Sequence, residues 1–198
     1  MVFLNNSGKK LAVVIGINYT GTNAELRGCI NDAIHISSFL KTKIGLTDND
    51  IILLTDETKL KPTRTNILNT LNFVIEKVKS ESIETIWLSY AGHGTQTVDL
   101  NGDEKKSNND KHGMDECLVP LDYSRNGLIT DDELFTLFIK RIPQTCTLLS
   151  IIDCCHSGTI LDLPFVYTCT DNGIIEDHGS YFDNMAKIIK ISGCLDNQ

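Results

Sequence analysis

The chain has 198 residues, 41% of them hydrophobic and 22% charged, with a formal net charge of −8. That length fits one domain with a single core, and the ordinary apolar content excludes wholesale disorder. The acidic balance speaks against a nucleic-acid or anionic-membrane surface, and no apolar run nears the ~20 residues that cross a bilayer.

The first ten residues carry their charges after a short apolar stretch, the wrong order for a secretory signal. Leu11–Ile17 is then almost continuously apolar, as a strand covered on both faces would be. Leu26, Ile30, Ala33, Ile34 and Leu40 recur at helical steps and predict a first helix. A second strand is expected at Asp50–Thr55. Pro62-Thr63 is a helix start signal, followed by a stripe of Ile67, Leu71, Val74, Ile75 and Val78. Glu84–Tyr90 reads as a third strand.

Residues 97–113 form a polar segment without periodicity. Thr130 and Glu133 have the spacing of a capping box, which predicts a third helix with Leu134, Phe135 and Phe138 facing inward. Thr147–Ile152 and Lys187–Ser192 read as further strands, with a turn-rich stretch at 168–184 between them. Strands alternating with helices imply right-handed crossovers and a mainly parallel sheet. The chain stops soon after the last strand, so either part of the natural fold is missing or another chain closes the sheet edge.

The seven cysteines (Cys29, Cys117, Cys146, Cys154, Cys155, Cys169 and Cys194) are an odd number, several of them inside apolar runs. Buried free thiols in a reducing compartment account for them, and the expected location is cytoplasmic. No Cys-x-x-Cys pair offers a zinc site.

In parallel sheets functional residues gather at the carboxyl ends of strands. The third strand runs into Tyr90-Ala-Gly-His-Gly-Thr95, the fourth into Ile152-Asp-Cys-Cys-His-Ser-Gly158. A thiol nucleophile needs access, a proton-handling partner and free backbone N–H groups, which a strand-to-turn junction of small residues supplies. Singly, a loop His is more often a surface residue and a strand-end Cys a packing residue. Here the two stand at the ends of separate strands, 62 positions apart.

Six ordered blocks carry a resemblance to a known family. They are Leu11-Ala-Val-Val-Ile-Gly-Ile-Asn18, Leu26-Arg-Gly-Cys-Ile-Asn-Asp-Ala33, Tyr90-Ala-Gly-His-Gly94, Gly113-Met-Asp-Glu-Cys-Leu-Val-Pro-Leu-Asp122, Asp153-Cys-Cys-His-Ser-Gly-Thr159 and Ile191-Ser-Gly-Cys-Leu-Asp-Asn-Gln198. In this the chain resembles the metacaspases, relatives of the caspases, over nearly its whole length. The resemblance implies a caspase-like α/β three-layer sandwich, with helices on both faces of a mainly parallel sheet. Residues 1–198 would be the catalytic large-subunit domain, incomplete at its C-terminus or not, with no long prodomain.

The same resemblance implies a cysteine endopeptidase cutting after Arg or Lys. Cys155 would be the nucleophile, His93 the acid–base partner, and the N–H groups of Gly94 and Cys155 the oxyanion hole. Strand alternation agrees in a limited way, since neighbouring side chains point to opposite faces and Cys154 would pack inward. The resemblance assigns Asp32 and Asp153 to the basic side chain of the substrate, and a carboxylate pair suits a guanidinium. Asn31-Asp32 has another reading, as a cap of the first helix. The family often has Ser where this chain has Ala91, which removes one polar contact near that pocket.

Calcium activation is also common in the family. The matching positions are Asp99, Asp115, Glu116 and Asp162, with Asp103 a rival to Asp99, and hard carboxylate oxygens suit Ca²⁺. Self-cleavage at exposed Lys105, Lys106 or Lys111 would accompany it. The expected partners are protein or peptide substrates, with no nucleic acid and no membrane, and the expected state is a monomer. The competing readings are a non-catalytic caspase-fold scaffold or a subunit needing a partner segment. A peptidase for acidic substrates is opposed by Asp32 and Asp153, and a thiol phosphatase by the lack of an Arg shortly after Cys155.

Overall fold

A computed structural model of the chain describes residues 8–98, 114–168, 174–177 and 186–193. In chain order the elements are β1 (Lys10–Gly16), α1 (Cys29–Phe39), β2 (Ile51–Thr55), α2 (Arg64–Glu81), β3 (Thr85–Ala91), β4 (Gly94–Val98) and β5 (Met114–Leu118). There follow α3 (Tyr123–Asn126), β6 (Ile129–Thr130), α4 (Asp131–Leu137), β7 (Thr147–Asp153), β8 (Phe165–Thr168), β9 (Ile174–Asp177) and β10 (Lys187–Ser192).

The central sheet has the order β10-β7-β3-β1-β2, and every pairing in it is parallel. Alternation along β1 divides the core. Leu11, Val13 and Ile15 join a large cluster with the inner stripe of α2 and with Leu134, Phe135 and Phe138. Ala12 and Val14 turn to the other face, where Ala33, Leu40 and Trp87 pack with them. Helices therefore cover both faces of a mainly parallel sheet, the three-layer α/β arrangement of the caspase-like fold. Each buried aliphatic of the α2 stripe contributes about 1.5–3 kcal/mol by leaving water. That stripe is the one the sequence predicts, and Thr63 caps it by accepting the N–H of Asn66. Thr130 and Glu133 form the expected capping box on α4.

Several local expectations are corrected. Ile34 lies at the flank of the α1 stripe and is 48% exposed, while Ser37 is buried in its place. Neither Asn31 nor Asp32 caps α1, because the helix begins at Cys29 after Gly28; Asp32 sits inside the first turn. Thr97 and Val98, at the start of the supposed polar segment, belong to β4, which pairs antiparallel with β5, and β6 adds to β5; residues 99–113 of that segment lie outside the described residues. Half-buried β4 alternates too few apolar residues to be read as a strand. Residues 174–177, in the supposed turn-rich stretch, pair as β9 with β8. Among the described residues, no helix is long and apolar enough to cross a membrane.

Candidate active site

The carboxyl edge of the sheet is built by register. Ala91 of β3 pairs with Asp153 of β7 and with Gly16 of β1, so three strand ends stop at one level. His93 and Cys155 each stand two residues beyond a paired position. The two loops touch directly. A Cβ placed on Gly94 would lie 1.9 Å from the Cys155 carbonyl oxygen and 2.8 Å from the Cys154 sulfur. Glycine is required there by close backbone approach rather than by an unusual dihedral. Cys155 is exposed, whereas Cys154 is buried at 5% exposure.

His93 is held through its main chain. Its N–H donates to the Tyr19 hydroxyl at 3.0 Å, and its carbonyl accepts from the Tyr90 hydroxyl at 2.8 Å. Tyr19 itself donates to the Val119 carbonyl at 2.6 Å. Burial pushes the Tyr19 phenol up to about 12, so it stays a neutral donor and acceptor. The imidazole Nε2 lies 2.8 Å from the Ala24 carbonyl oxygen. A carbonyl only accepts, so this contact requires the tautomer with hydrogen on Nε2 and leaves Nδ1 as the basic nitrogen.

The acids divide into two groups. Asp32 and Asp153, both exposed, lie around Cys29, whose thiol is pushed up by burial first, then by Asp32, with Asp153 and Asp56 adding to it. Asp56, not among the residues expected from the sequence, joins this group. Its carboxylate accepts Asn18 N–H and Thr20 N–H, each at 3.0 Å, and Asn18 in turn accepts the Ile30 N–H at the start of α1. The strand-end rule, applied to β1 and β2 as well as to β3 and β7, points to both Tyr19 and Asp56.

The second group lies at β5. Asp115 and Glu116 are buried, and beside them is buried Asp131, also missed from the sequence. Asp131 accepts the Glu116 N–H at 2.8 Å, and its carboxyl is pushed up to about 9 by burial and then by the charge of Asp162. Glu116 accepts from Gln96 at 2.8 Å and from Thr159 at 2.6 Å. Among the described residues, no three His, Cys, Asp or Glu side chains are arranged around one ion position. Asp99, Asp103, Lys105, Lys106 and Lys111 lie outside the described residues, as do Cys169 and Cys194.

Comparison with known proteins gives the family. The profile described as "Metacaspase, peptidase C14 domain" matches residues 9–164. Metacaspase-1 of Debaryomyces hansenii is 39% identical over 178 residues, which is 88% of this chain and 38% of the relative. Metacaspase-1 of Cryptococcus neoformans is 40% identical over 174 residues, 86% of this chain and 36% of the relative. Metacaspase-1 of Candida albicans is 41% identical over 169 residues, 84% of this chain and 37% of the relative. The chain thus spans well under half the length of the curated relatives it matches.

Proposed function

Since the chain belongs to the metacaspase family of cysteine-type peptidases, we propose that it cuts peptide bonds after Arg or Lys, with Cys155 as nucleophile and His93 as acid–base partner. The observation that carries this reading is the β3–β7 register, which sets both residues at one level with Gly94 against Cys155. Nδ1 of His93 takes the thiol proton, and the thiolate attacks the scissile carbonyl carbon. The N–H groups of Gly94 and Cys155 receive the negative oxygen of the adduct. Protonated His93 then gives its proton to the departing amine. In deacylation it draws a proton from water, which attacks the thioester and frees Cys155.

Asp32 and Asp153 are the proposed partners of the substrate's basic side chain. Their shared influence on the Cys29 thiol supports a common negative site beside the reacting loops. A guanidinium there makes charge-assisted hydrogen bonds, and an acidic side chain would be repelled.

Calcium is the proposed activator, with Asp115, Glu116, Asp162 and Asp99 as its ligands; Asp115, Glu116 and Asp162 do not surround one ion position in this fold, so binding would have to draw them together. The mutual repulsion of Asp131, Asp162 and Glu116 supports this, because a hard cation relieves it. When bound, the ion neutralises these carboxylates next to the loop that follows Cys155, and it takes no part in bond cleavage. The active species is proposed to be a monomer.

Hydrolysis of a fluorogenic peptide ending in Arg, in calcium and in chelator, beside Cys155→Ala, tests the reading. Calcium-dependent turnover lost in the variant is expected. Absence of turnover by the folded protein in calcium would favour a scaffold or a subunit that needs a partner segment.

A further inference from the structure

The turn that carries Cys155 is strained, and β10 fastens one side of it. His156, directly after the thiol, has φ 50°, and Asp162 at the end of the loop has φ 48°. Such non-glycine conformations cost about 1–3 kcal/mol each and persist where neighbouring contacts over-determine them. At this turn three of those contacts come from β10. The Ser157 carbonyl, on a fully buried residue, accepts from Lys190 Nζ at 2.8 Å and from Ser192 Oγ at 2.8 Å. Lys190 Nζ also donates to the Gly158 carbonyl.

Lys190 is an unexpected residue for its position. β10 alternates, with Ile188, Lys190 and Ser192 on its half-buried face and Ile189 and Ile191 exposed. Ile188 on that face packs against the large core cluster. A partly buried ammonium is costly unless hydrogen-bonded, and carbonyl oxygens answer it with charge-assisted bonds. The parallel register with β7, Ser192 opposite Ile152, aims both side chains at the loop that leaves β7. Gly193 continues the contact: its N–H donates to the Ile152 carbonyl at 3.0 Å, and a Cβ there would lie 2.7 Å from Asp153 Oδ1.

We propose that Lys190 and Ser192 are positioning residues for Cys155, holding the strained turn at 155–158 so that the thiol is presented in one geometry. This rests on the assignment of Cys155 as nucleophile. Lys190 acts through the Ser157 and Gly158 carbonyls, and Ser192 through that of Ser157. They lie outside the span that the family profile matches.

Amide hydrogen exchange, iodoacetamide labelling of Cys155 and Arg-peptide hydrolysis, compared in wild type, Lys190→Met, Lys190→Arg and Ser192→Ala, test the proposal. Lys190→Met is expected to speed exchange at 155–158 by about tenfold and to change the labelling rate, with the rest of the sheet unmoved. Its kcat should fall about tenfold with KM within about twofold, and Lys190→Arg should recover most of the loss. Ser192→Ala should shift all three in the same direction by less. Wild-type rates in Lys190→Met overturn the proposal, and so does a uniform rise of exchange across the sheet, which would mean that the contacts serve only the fold. Exchange and labelling need no turnover, so failure of the peptidase reading leaves them decisive.

Discussion

The hydroxyl of Tyr19 accepts the backbone N–H of His93 at 3.0 Å while the two rings lie 4.9 Å apart. One fully buried phenol thus sets both the main chain and the ring of the proposed acid–base residue. The Tyr90 hydroxyl, 3.3 Å from that of Tyr19, holds the carbonyl of the same residue. Tyr19→Phe leaves the His93 N–H without its acceptor and the Val119 carbonyl with only the Tyr90 hydroxyl, at 3.2 Å. It should cost about 1–3 kcal/mol of stability. A displaced imidazole should also lower kcat by about 10- to 100-fold. Denaturant unfolding and Arg-peptide hydrolysis on the same variant measure both effects.

Gly94→Ala sets a methyl 1.9 Å from the Cys155 carbonyl, a backbone atom that cannot rotate away. The start of β4 and the Cys155 loop must separate, and a loss of about 3 kcal/mol or more is expected, with activity abolished. Gly45 is the control. It has φ +82° with nothing within 4 Å of an added Cβ. Gly45→Ala should cost only about 1 kcal/mol from the left-handed backbone and leave hydrolysis intact. Thermal unfolding of the pair separates clash from strain.

Thiol labelling distinguishes the adjacent cysteines. Cys155 is exposed, whereas Cys154, Cys117 and Cys146 are buried, and burial pushes the Cys117 thiol up to about 12 and that of Cys146 to about 11. Alkylation of the native protein should modify Cys155 first, the buried three only on unfolding. Peptide mass mapping after short exposure checks the order. Prior labelling of Cys154 instead would reverse the nucleophile assignment.

Asp131 predicts a pH dependence. Its carboxyl is pushed up to about 9 in the fold, against about 3.9 for an unperturbed aspartate. Between those values the folded state keeps a proton that the unfolded chain has lost. Its stabilisation is therefore complete below about pH 4 and declines as pH rises towards 9. In chelator, the denaturant midpoint should fall from pH 5 to pH 9, and Asp131→Asn should flatten the fall. Millimolar calcium should flatten it in the wild type, because a cation offsets the repulsion from Asp162 and Glu116.

The amino-acid sequence by itself determined the five central strands, the α2 stripe and the α4 capping box, because these follow from nearest-neighbour periodicity and side-chain-to-backbone spacing along a few residues. It also brought His93 and Cys155 into view, since a strand running into small residues is a local pattern. β4 and β9 escaped because their stability comes from pairing rather than from an apolar run. Strand alternation also anticipated that Cys154 packs inward, as it does. Only the tertiary structure decided that β3 lies beside β7 with Ala91 opposite Asp153, and that Asp131 lies among the β5 acids. Tyr19 meets His93 across 74 positions and Lys190 meets Ser157 across 33. A tyrosine after one strand and a lysine within another carry no local sign of such partners; strand order and register create the contact, and those are set by the packing of the whole sheet.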